Sequence, residues 1–319
     1  MSTPNDFLER LKTHFRFEPI IEGLTHTKSD KFTELTKKEF DQFETSIKEK
    51  YKNSVEDDTL VLKLIEEVTP ILTPIEAKAL EKCAFGKIYN TKMNAFCAKS
   101  KDGYDNYCVV INEGLLMLLH KYGKLLIAQS NPKNVLFCNY NNFKKFTRDN
   151  YRELANELIQ NYKDYKAPVG AKVKLTPESN MGHGFSLHFQ ELFVLCHELG
   201  HIFNKDLEDK ENLMDLFGSE ISVLEENKFH EKEFKADLYA FDLISRVIEN
   251  KYEKKHILSY VIMLFDIMAI IKPTDSKKHP APIDRILNIV YENWGEKSAE
   301  NYIKSYESKS AYEHFFNNL

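Results

Sequence analysis

The stretch LCHELGHIFN, residues 195–204, places two histidines and a glutamate within a run of otherwise apolar residues. The residues before it, HFQELFV, continue the pattern, which predicts a helix too apolar on all sides to lie on a surface. Burying unpaired His and Glu side chains in such a helix would be costly, whereas a metal ion would satisfy them together. The alternative is a pair of hydrogen-bonded core histidines beside a chance glutamate.

The spacing within this helix favours a zinc site. Residues four apart lie on one face, so His197 and His201 are spaced to bind one Zn²⁺. In an HExxH pattern the glutamate, here Glu198, projects toward the open side of the ion as a general base. A catalytic zinc ion takes a third protein ligand and keeps a position for water. The sequence must therefore supply another ligand downstream.

A second helix supplies a candidate for that ligand. The segment HEKEFKADLYAFDLI places Glu233 and Asp237 four residues apart, and Ala236 and Ala240 would allow close approach to the first helix. We predict that Glu233 is the third ligand and that Asp237 accepts a hydrogen bond from a ligating histidine. The alternative for an ExxxD pair on a charged helix is a solvated face. The acidic connection KDLEDKENLMDLFGSE is interpreted as a solvated loop, or else as a feature that favours basic substrates.

These motifs resemble a known family. HELGH at 197–201 and EFKAD at 233–237 are similar to the gluzincin zinc metallopeptidases of the CaaX-prenyl-protease and HtpX type. The resemblance implies a zincin-like fold in which His197, His201 and Glu233 bind zinc and Glu198 is the general base. HPAPIDRI resembles the HP…R segment of these enzymes, which implies that His279 and Arg285 approach the active site. His279 would bind the oxyanion, and Arg285 would lie beside it or hold the segment. The residues alone also allow a proline-rich turn and a surface ion pair of Arg285.

The resemblance also covers the segments MNAFC and VVINEGLL. They are similar to the edge strand along which the substrate peptide pairs in this family, which implies substrate binding by Asn94, Ala95 and Phe96. The membrane helices of the CaaX and HtpX enzymes are missing, and about 80 residues separate Gly114 from His197. The phage-exclusion peptidase Lit, a soluble relative, resembles the chain in its insertion before HExxH and its terminal HP…R segment.

The pattern along the chain predicts an α+β fold that is mostly helical. We predict a helical N-terminal region over residues 1–80. Residues 81–319 are predicted to form a metallopeptidase domain with an insertion at about 131–185. Thr73-Pro74 marks a helix start and Gly86 a stop. Strands flank the turn SKDGYDN and lead into a helix from Glu113. We predict one helix near residues 148–165 within the insertion and loop in its remainder. Further helices follow Phe185, one of them from about Phe229.

Composition excludes several classes of function. With 44 basic and 49 acidic residues interspersed and a net charge of −5, the chain has no stripe that would bind nucleic acid. Five cysteines without a CxxC motif indicate reduced thiols and a cytoplasmic protein. The N-terminus lacks a signal-peptide pattern. The apolar run at 257–271 contains Asp266 and is shorter than the roughly 20 residues of a spanning helix, so we expect no membrane insertion.

We therefore predict a zinc-dependent endopeptidase with one zinc per chain. It would hydrolyse a protein or peptide through a zinc-bound water activated by Glu198, in a regulated or defence-related role. The alternative is a non-catalytic regulatory or binding protein that keeps the zinc and the fold. No sequence feature indicates an oligomeric state.

Overall fold

A computed structural model describes residues 3–15, 42, 45, 58–89, 91–100, 105–208, 223–248, 253–276 and 279–308. Ten helices are described, listed in chain order: α1 Pro4–Phe15, α2 Thr59–Val68, α3 Pro74–Leu80, α4 Glu113–Ser130, α5 Arg148–Tyr165, α6 Pro177–Phe203, α7 Val223–Val247, α8 Lys254–Ile271, α9 Pro282–Trp294 and α10 Glu296–Ser308. The strands are β1 Cys83–Ile88, β2 Ala95–Lys99, β3 Tyr107–Asn112, β4 Val135–Cys138 and β5 Val173–Leu175. The predicted class, α+β and mostly α, is confirmed.

A three-stranded sheet has the order β1-β3-β2, with β1 parallel and β2 antiparallel to β3. The predicted strand pair around the turn at 100–106 and the helix start at Glu113 are confirmed. One sheet face packs against the main core through Phe85, Val109 and Ile111. The opposite face is covered by α1, whose Leu8 packs with Ala84 and other small apolar residues. The sheet thus lies between α1 and the helical core.

The prediction of a helix stop at Gly86 is wrong. The predicted helix start at Thr73-Pro74 is confirmed and has a capping box with Glu76, but the helix ends at Leu80, and Gly86 lies in β1. A Cβ atom at this position would lie 2.9 Å from Lys12 Cε and 3.0 Å from Leu8 Cδ2. A side chain here would have to displace the ends of the Lys12 and Leu8 side chains, so Gly86 favours the close approach of α1 to the sheet, and it terminates no helix.

The insertion at 131–185 contains more structure than the sequence indicates. The predicted helix is confirmed as α5, whose buried face includes Tyr151, Leu154 and Leu158. The remainder was predicted as loop, but β4 and β5 form an antiparallel two-stranded sheet, and α6 begins at Pro177. The Thr176 side chain accepts a hydrogen bond from the Ser179 N–H, which caps this early start.

The core centres on α6, which contacts α4, α7, α8 and the sheet. Helix α7 begins at Val223, six residues before the predicted start. The apolar run at 257–271 lies in α8, with Ile257, Val261 and Phe265 buried. None of the described helices combines the length and apolar composition that crossing a bilayer requires. Most of the N-terminal region lies outside the described residues, so its boundary at residue 80 stays a prediction.

Candidate active site

The HExxH helix and its partner approach closely because their facing residues are small. A Cβ atom on Gly200 of α6 would lie 3.0 Å from the Cα and 3.1 Å from the carbonyl oxygen of Ala236 on α7. Ala236 and Ala240 are fully buried. The close packing predicted from these alanines is therefore present, with Gly200 as its counterpart. It brings the side chains of the HExxH segment within reach of Glu233.

Three predicted ligands lie together at this helix contact. The Nε2 atoms of His197 and His201 are 3.2 Å apart. Glu233 Oε1 lies 3.4 Å from His201 Nε2, and Glu233 Oε2 lies 3.5 Å from His197 Nε2. One donor atom from each of the three residues falls within 4.8 Å of the others, so this cluster could hold a metal ion.

The other ring nitrogen of each histidine contacts a carboxylate. His197 Nδ1 lies 2.9 Å from Asp237 Oδ1, as expected from the sequence. His201 Nδ1 lies 2.8 Å from Asp206 Oδ2, a contact that the sequence analysis missed because it assigned Asp206 to a solvated loop. Both Nε2 atoms consequently face the shared space beside Glu233. Residues 209–222 of that acidic connection lie outside the described residues.

Arg285 connects the acidic groups behind the cluster. Its Nε and Nη2 atoms donate to the two carboxylate oxygens of Asp237 at 2.7 and 2.6 Å, and its Nη1 lies 3.4 Å from Glu233 Oε2. The guanidinium also lies over the Phe265 ring, and Arg285 is only 4% exposed. The interpretation of Arg285 as a surface ion pair is excluded by this burial. His279 is at the rim instead, with a half-exposed side chain whose Nδ1 lies 3.2 Å from Glu233 Oε2.

These contacts determine the protonation of the metal-free cluster. Burial disfavours the charged form of Glu233, but Arg285 and the adjacent histidines hold its pKa well below the ordinary value. Burial also opposes protonation of His201, yet Asp206 and Glu233 raise its pKa to about 10. The pKa of His197 is raised in the same way by Asp237 and Glu233. A bound metal ion would have to displace these protons.

Glu198 lies beside the cluster and is 8% exposed. The Cys97 thiol on β2 lies near this carboxylate, and burial, together with the negative charge of Glu198, raises the pKa of Cys97 well above its usual range. The thiol therefore stays protonated beside Glu198. Nothing in the spacing of Cys97 indicated this contact, since it depends on the position of β2 against α6.

A cavity of about 270 Å³ opens from the cluster. Its polar wall includes Glu198, Glu233 and His279, and its apolar wall includes Leu264 and Met268 of α8. The rim includes Asn94 and Ala95, two of the three predicted substrate-binding residues. Phe96 points to the opposite face of the sheet, where it packs near α1, because side chains alternate along a strand.

The position of β2 also leaves some of its main-chain groups directed away from the sheet. It is an edge strand of the sheet formed by the described residues. The Asn94 carbonyl oxygen accepts a hydrogen bond from the Asn112 N–H, and the Ser100 N–H donates to the Asn106 carbonyl oxygen. The even-numbered residues of β2 therefore form the main-chain hydrogen bonds to β3. The main-chain groups of Ala95 and Cys97 therefore point away from β3.

Searches of curated proteins and of solved structures found no match. The model of the Peptidase U49 family matches residues 143–303, just over half of the 319 residues. The matched range includes the HExxH helix, the helix with Glu233 and Asp237, and the segment from His279 to Arg285. Every residue of the three-ligand cluster thus lies within the matched range. The chain belongs to the Peptidase U49 family of peptidases.

Proposed function

We propose that this peptidase is a zinc-dependent endopeptidase of gluzincin type. His197, His201 and Glu233 would hold the ion, and Glu198 would act as the general base. The observation that carries the proposal is the spacing of the three donor atoms, 3.2, 3.4 and 3.5 Å. Ligands at tetrahedral corners about 2.0–2.1 Å from a zinc ion are about 3.3–3.4 Å apart.

Two further features support a cation at this position. Glu233 Oε2 is buried without a well-aligned hydrogen bond, although His279 Nδ1 and Arg285 Nη1 lie within 3.4 Å. The donor set of two imidazoles and one carboxylate is typical of catalytic zinc. A zinc ion bound there would lower the pKa of a water molecule and polarise the scissile carbonyl.

The residues of the chain would then divide the work of hydrolysis. Glu198 would take a proton from the attacking water and deliver it to the leaving amine. His279, half-exposed at the rim, would donate a hydrogen bond to the developing oxyanion. Arg285 is engaged by Asp237 and Glu233, which favours its role in holding these carboxylates in place over direct contact with substrate.

We further propose that an extended segment of a protein substrate pairs with β2. The outward main-chain groups of Ala95 and Cys97 would bind it by strand addition, and the adjoining cavity would take a side chain. The five cysteines are free in the structure, which supports a reducing, cytoplasmic compartment.

The decisive experiment compares new protein N-termini in cells that produce wild type or Glu198→Gln. The proposal expects a set of N-termini that only wild type generates, while metal analysis finds one zinc per chain in both proteins. Glu178→Gln, an acid-to-amide change in the first turn of the same helix, should behave as wild type. Zinc in both proteins with identical N-termini under all conditions would favour the non-catalytic alternative, and no zinc in wild type would contradict both.

A further inference from the structure

We infer that Asp206 is a positioning residue that fixes the orientation of the second histidine ligand. Its carboxylate Oδ2 lies 2.8 Å from His201 Nδ1, and both side chains are nearly buried, at 11% and 13% exposure. A hydrogen bond to Nδ1 places the proton there and leaves the Nε2 lone pair directed at the shared metal position. This inference rests on the proposed zinc site.

The turn after α6 holds Asp206 in this position. The helix ends at Phe203, and the next residue, Asn204, still donates its N–H to the Gly200 carbonyl at 2.9 Å. Lys205 then adopts a left-handed conformation with φ 62°, which reverses the chain. The Asp206 N–H consequently donates to the carbonyl of His201 itself, at 2.9 Å. Main chain and side chain of Asp206 thus both contact the residue that Asp206 orients.

The same turn is attached to two neighbouring elements. Lys232, which precedes the predicted ligand Glu233 on α7, donates from Nζ to the Asp206 carbonyl oxygen at 3.2 Å. Glu208 accepts from the Tyr107 hydroxyl at 3.3 Å and lies 3.8 Å from Lys99 Nζ. These contacts link the turn to the helix with the third ligand and to the sheet. The turn that carries Asp206 is therefore held from two sides.

Asp206 completes a symmetric arrangement around the two histidines. Asp237 contacts His197 from α7, within the motif that the sequence displays. Asp206 contacts His201 from a turn five residues further along the chain, outside any motif. Residues that hydrogen-bond to histidine ligands contribute about 10–100-fold to metal affinity. We therefore expect Asp206 to contribute a factor within this range.

The test measures zinc affinity of the full-length chain by competition with a chromophoric chelator. Asp206→Ala should bind zinc about 10–100-fold more weakly than wild type. Asp206→Asn should lose less, because its amide oxygen can still accept from Nδ1. The matched control Glu178→Ala removes a carboxylate from the first turn of α6, away from His201 and from the turn at 204–208, and its zinc affinity should equal that of wild type. Circular dichroism of the metal-free proteins verifies that each variant is folded.

A second pair of variants moves the carboxylate without removing it. Lys205→Val disfavours the left-handed conformation and should weaken zinc binding, whereas Lys205→Gly should preserve it. The absorption bands of bound Co²⁺ should shift in Asp206→Ala and Lys205→Val but not in Glu178→Ala. If Asp206→Ala does not fold, Asp206→Asn and the Lys205 pair decide the outcome. Wild-type affinity and an unchanged Co²⁺ spectrum in the folded variants would overturn the role of Asp206, whereas no zinc binding by wild type would overturn the proposed function itself.

Discussion

At the scale of single residues, the behaviour of the site depends on three charges buried together. Glu233 and Asp237 are 7% and 0% exposed, and Arg285 lies between them and behind the histidines. Each of these charges loses its hydration when the chain folds, and the attraction of the opposite charge offsets that loss only while every partner is present. Removing the arginine would leave two carboxylates without their main counter-charge.

We therefore predict that Arg285→Met lowers the free energy of unfolding of the metal-free protein by about 3–5 kcal/mol. Urea denaturation in the presence of a chelator measures this change. Arg152→Met is the matched control, because Arg152 is well exposed and pairs only with Asp149 at 3.2 Å among the contacts described for it. The control should cost less than about 1 kcal/mol. Equal losses in the two variants would show that Arg285 does not stabilise the buried acids.

The sequence indicated those site residues that share a helix face or a family motif, and it missed Asp206 and Cys97, which reach the site only after folding. The four-residue spacings of His197 and His201, and of Glu233 and Asp237, are visible in the letters because a helix places such residues side by side. Asp206 depends on a reversal at Lys205, a residue type that rarely adopts the left-handed conformation. No local sequence feature therefore indicates that Asp206 contacts His201.

At the scale of elements, the cluster depends on how closely α6 and α7 pack. Gly200 has only the backbone and Cβ of Ala236 opposite it, and backbone cannot move aside as a flexible side chain would. Since His201 follows Gly200 directly and Glu233 lies three residues before Ala236, any separation of these helices would change the distances between the metal-binding atoms. Helix spacing and donor spacing are thus coupled.

We predict that Gly200→Ala weakens zinc binding and lowers Tm. The added Cβ would press on Ala236, which outweighs the gain in helix propensity. Gly184→Ala on the same helix is the matched control, because a Cβ there would meet nothing within 4 Å. It should stabilise the protein by about 0.5–1 kcal/mol with unchanged zinc affinity. Similar effects of the two substitutions on zinc affinity would contradict this coupling.

A second contact between elements joins α4 and α6 through two histidines. His183 Nε2 lies 3.2 Å from His120 Nδ1, which requires at least one neutral ring. Burial lowers the pKa of His120 to about 4 and that of His183 to about 3, with smaller effects of Lys124 on both and of Lys121 on His120. Both pKa values lie below the ordinary 6.5, so the unfolded chain binds more protons than the folded chain in acid.

We predict that this pair makes the protein acid-sensitive. Its contribution to stability is fully present above pH 6.5 and is lost as the pH falls from 6.5 toward about 4. Each proton bound only by the unfolded state adds a slope of about 1.4 kcal/mol per pH unit. Urea denaturation between pH 7 and pH 4.5 should give a shallower slope for the double variant His120→Gln, His183→Gln. The exposed control His256→Gln should keep the wild-type slope, and an unchanged slope in the double variant would contradict the prediction.

The fold itself was predictable where apolar periodicity was long and continuous. Helices α4, α5 and α8 follow directly from it. The errors occur where one residue type serves two purposes: Gly86 resembles a helix stop but allows α1 to approach the sheet. The strand β4 lacks the alternation that marks a strand facing a core, because Leu136 and Phe137 are both half-exposed. The strand β5 does alternate, but its three residues are too few for a pattern to be read from the sequence.

At the scale of the whole molecule, the site joins parts of the chain that are distant in sequence. The proposed base and two proposed ligands come from α6, the proposed third ligand from α7, the arginine that pairs with the buried acids from α9, and part of the cavity rim from β2. Without a metal ion, Glu198, Glu233 and Asp237 face one arginine and two histidines in a nearly buried space. A divalent cation would bind the native arrangement of these elements and not the unfolded chain, which shifts the folding equilibrium.

We therefore predict that removing the metal lowers stability and loosens a defined part of the molecule. At a zinc concentration of 100 Kd the bound ion contributes about 2.7 kcal/mol, which a chelator would remove. Hydrogen exchange should increase after chelation in the turn at 204–208 and in α7, where the ion would hold His201 and Glu233 together. It should change little in α4 and α5, whose mutual contact is apolar.

Glu198→Gln keeps all three proposed ligands and should respond as wild type does, whereas His201→Ala should show no response to zinc or chelator. A wild-type Tm and exchange pattern that the chelator leaves unchanged would mean that the cluster binds no structural or catalytic metal, because ligands from two helices cannot share an ion without stabilising the contact between those helices.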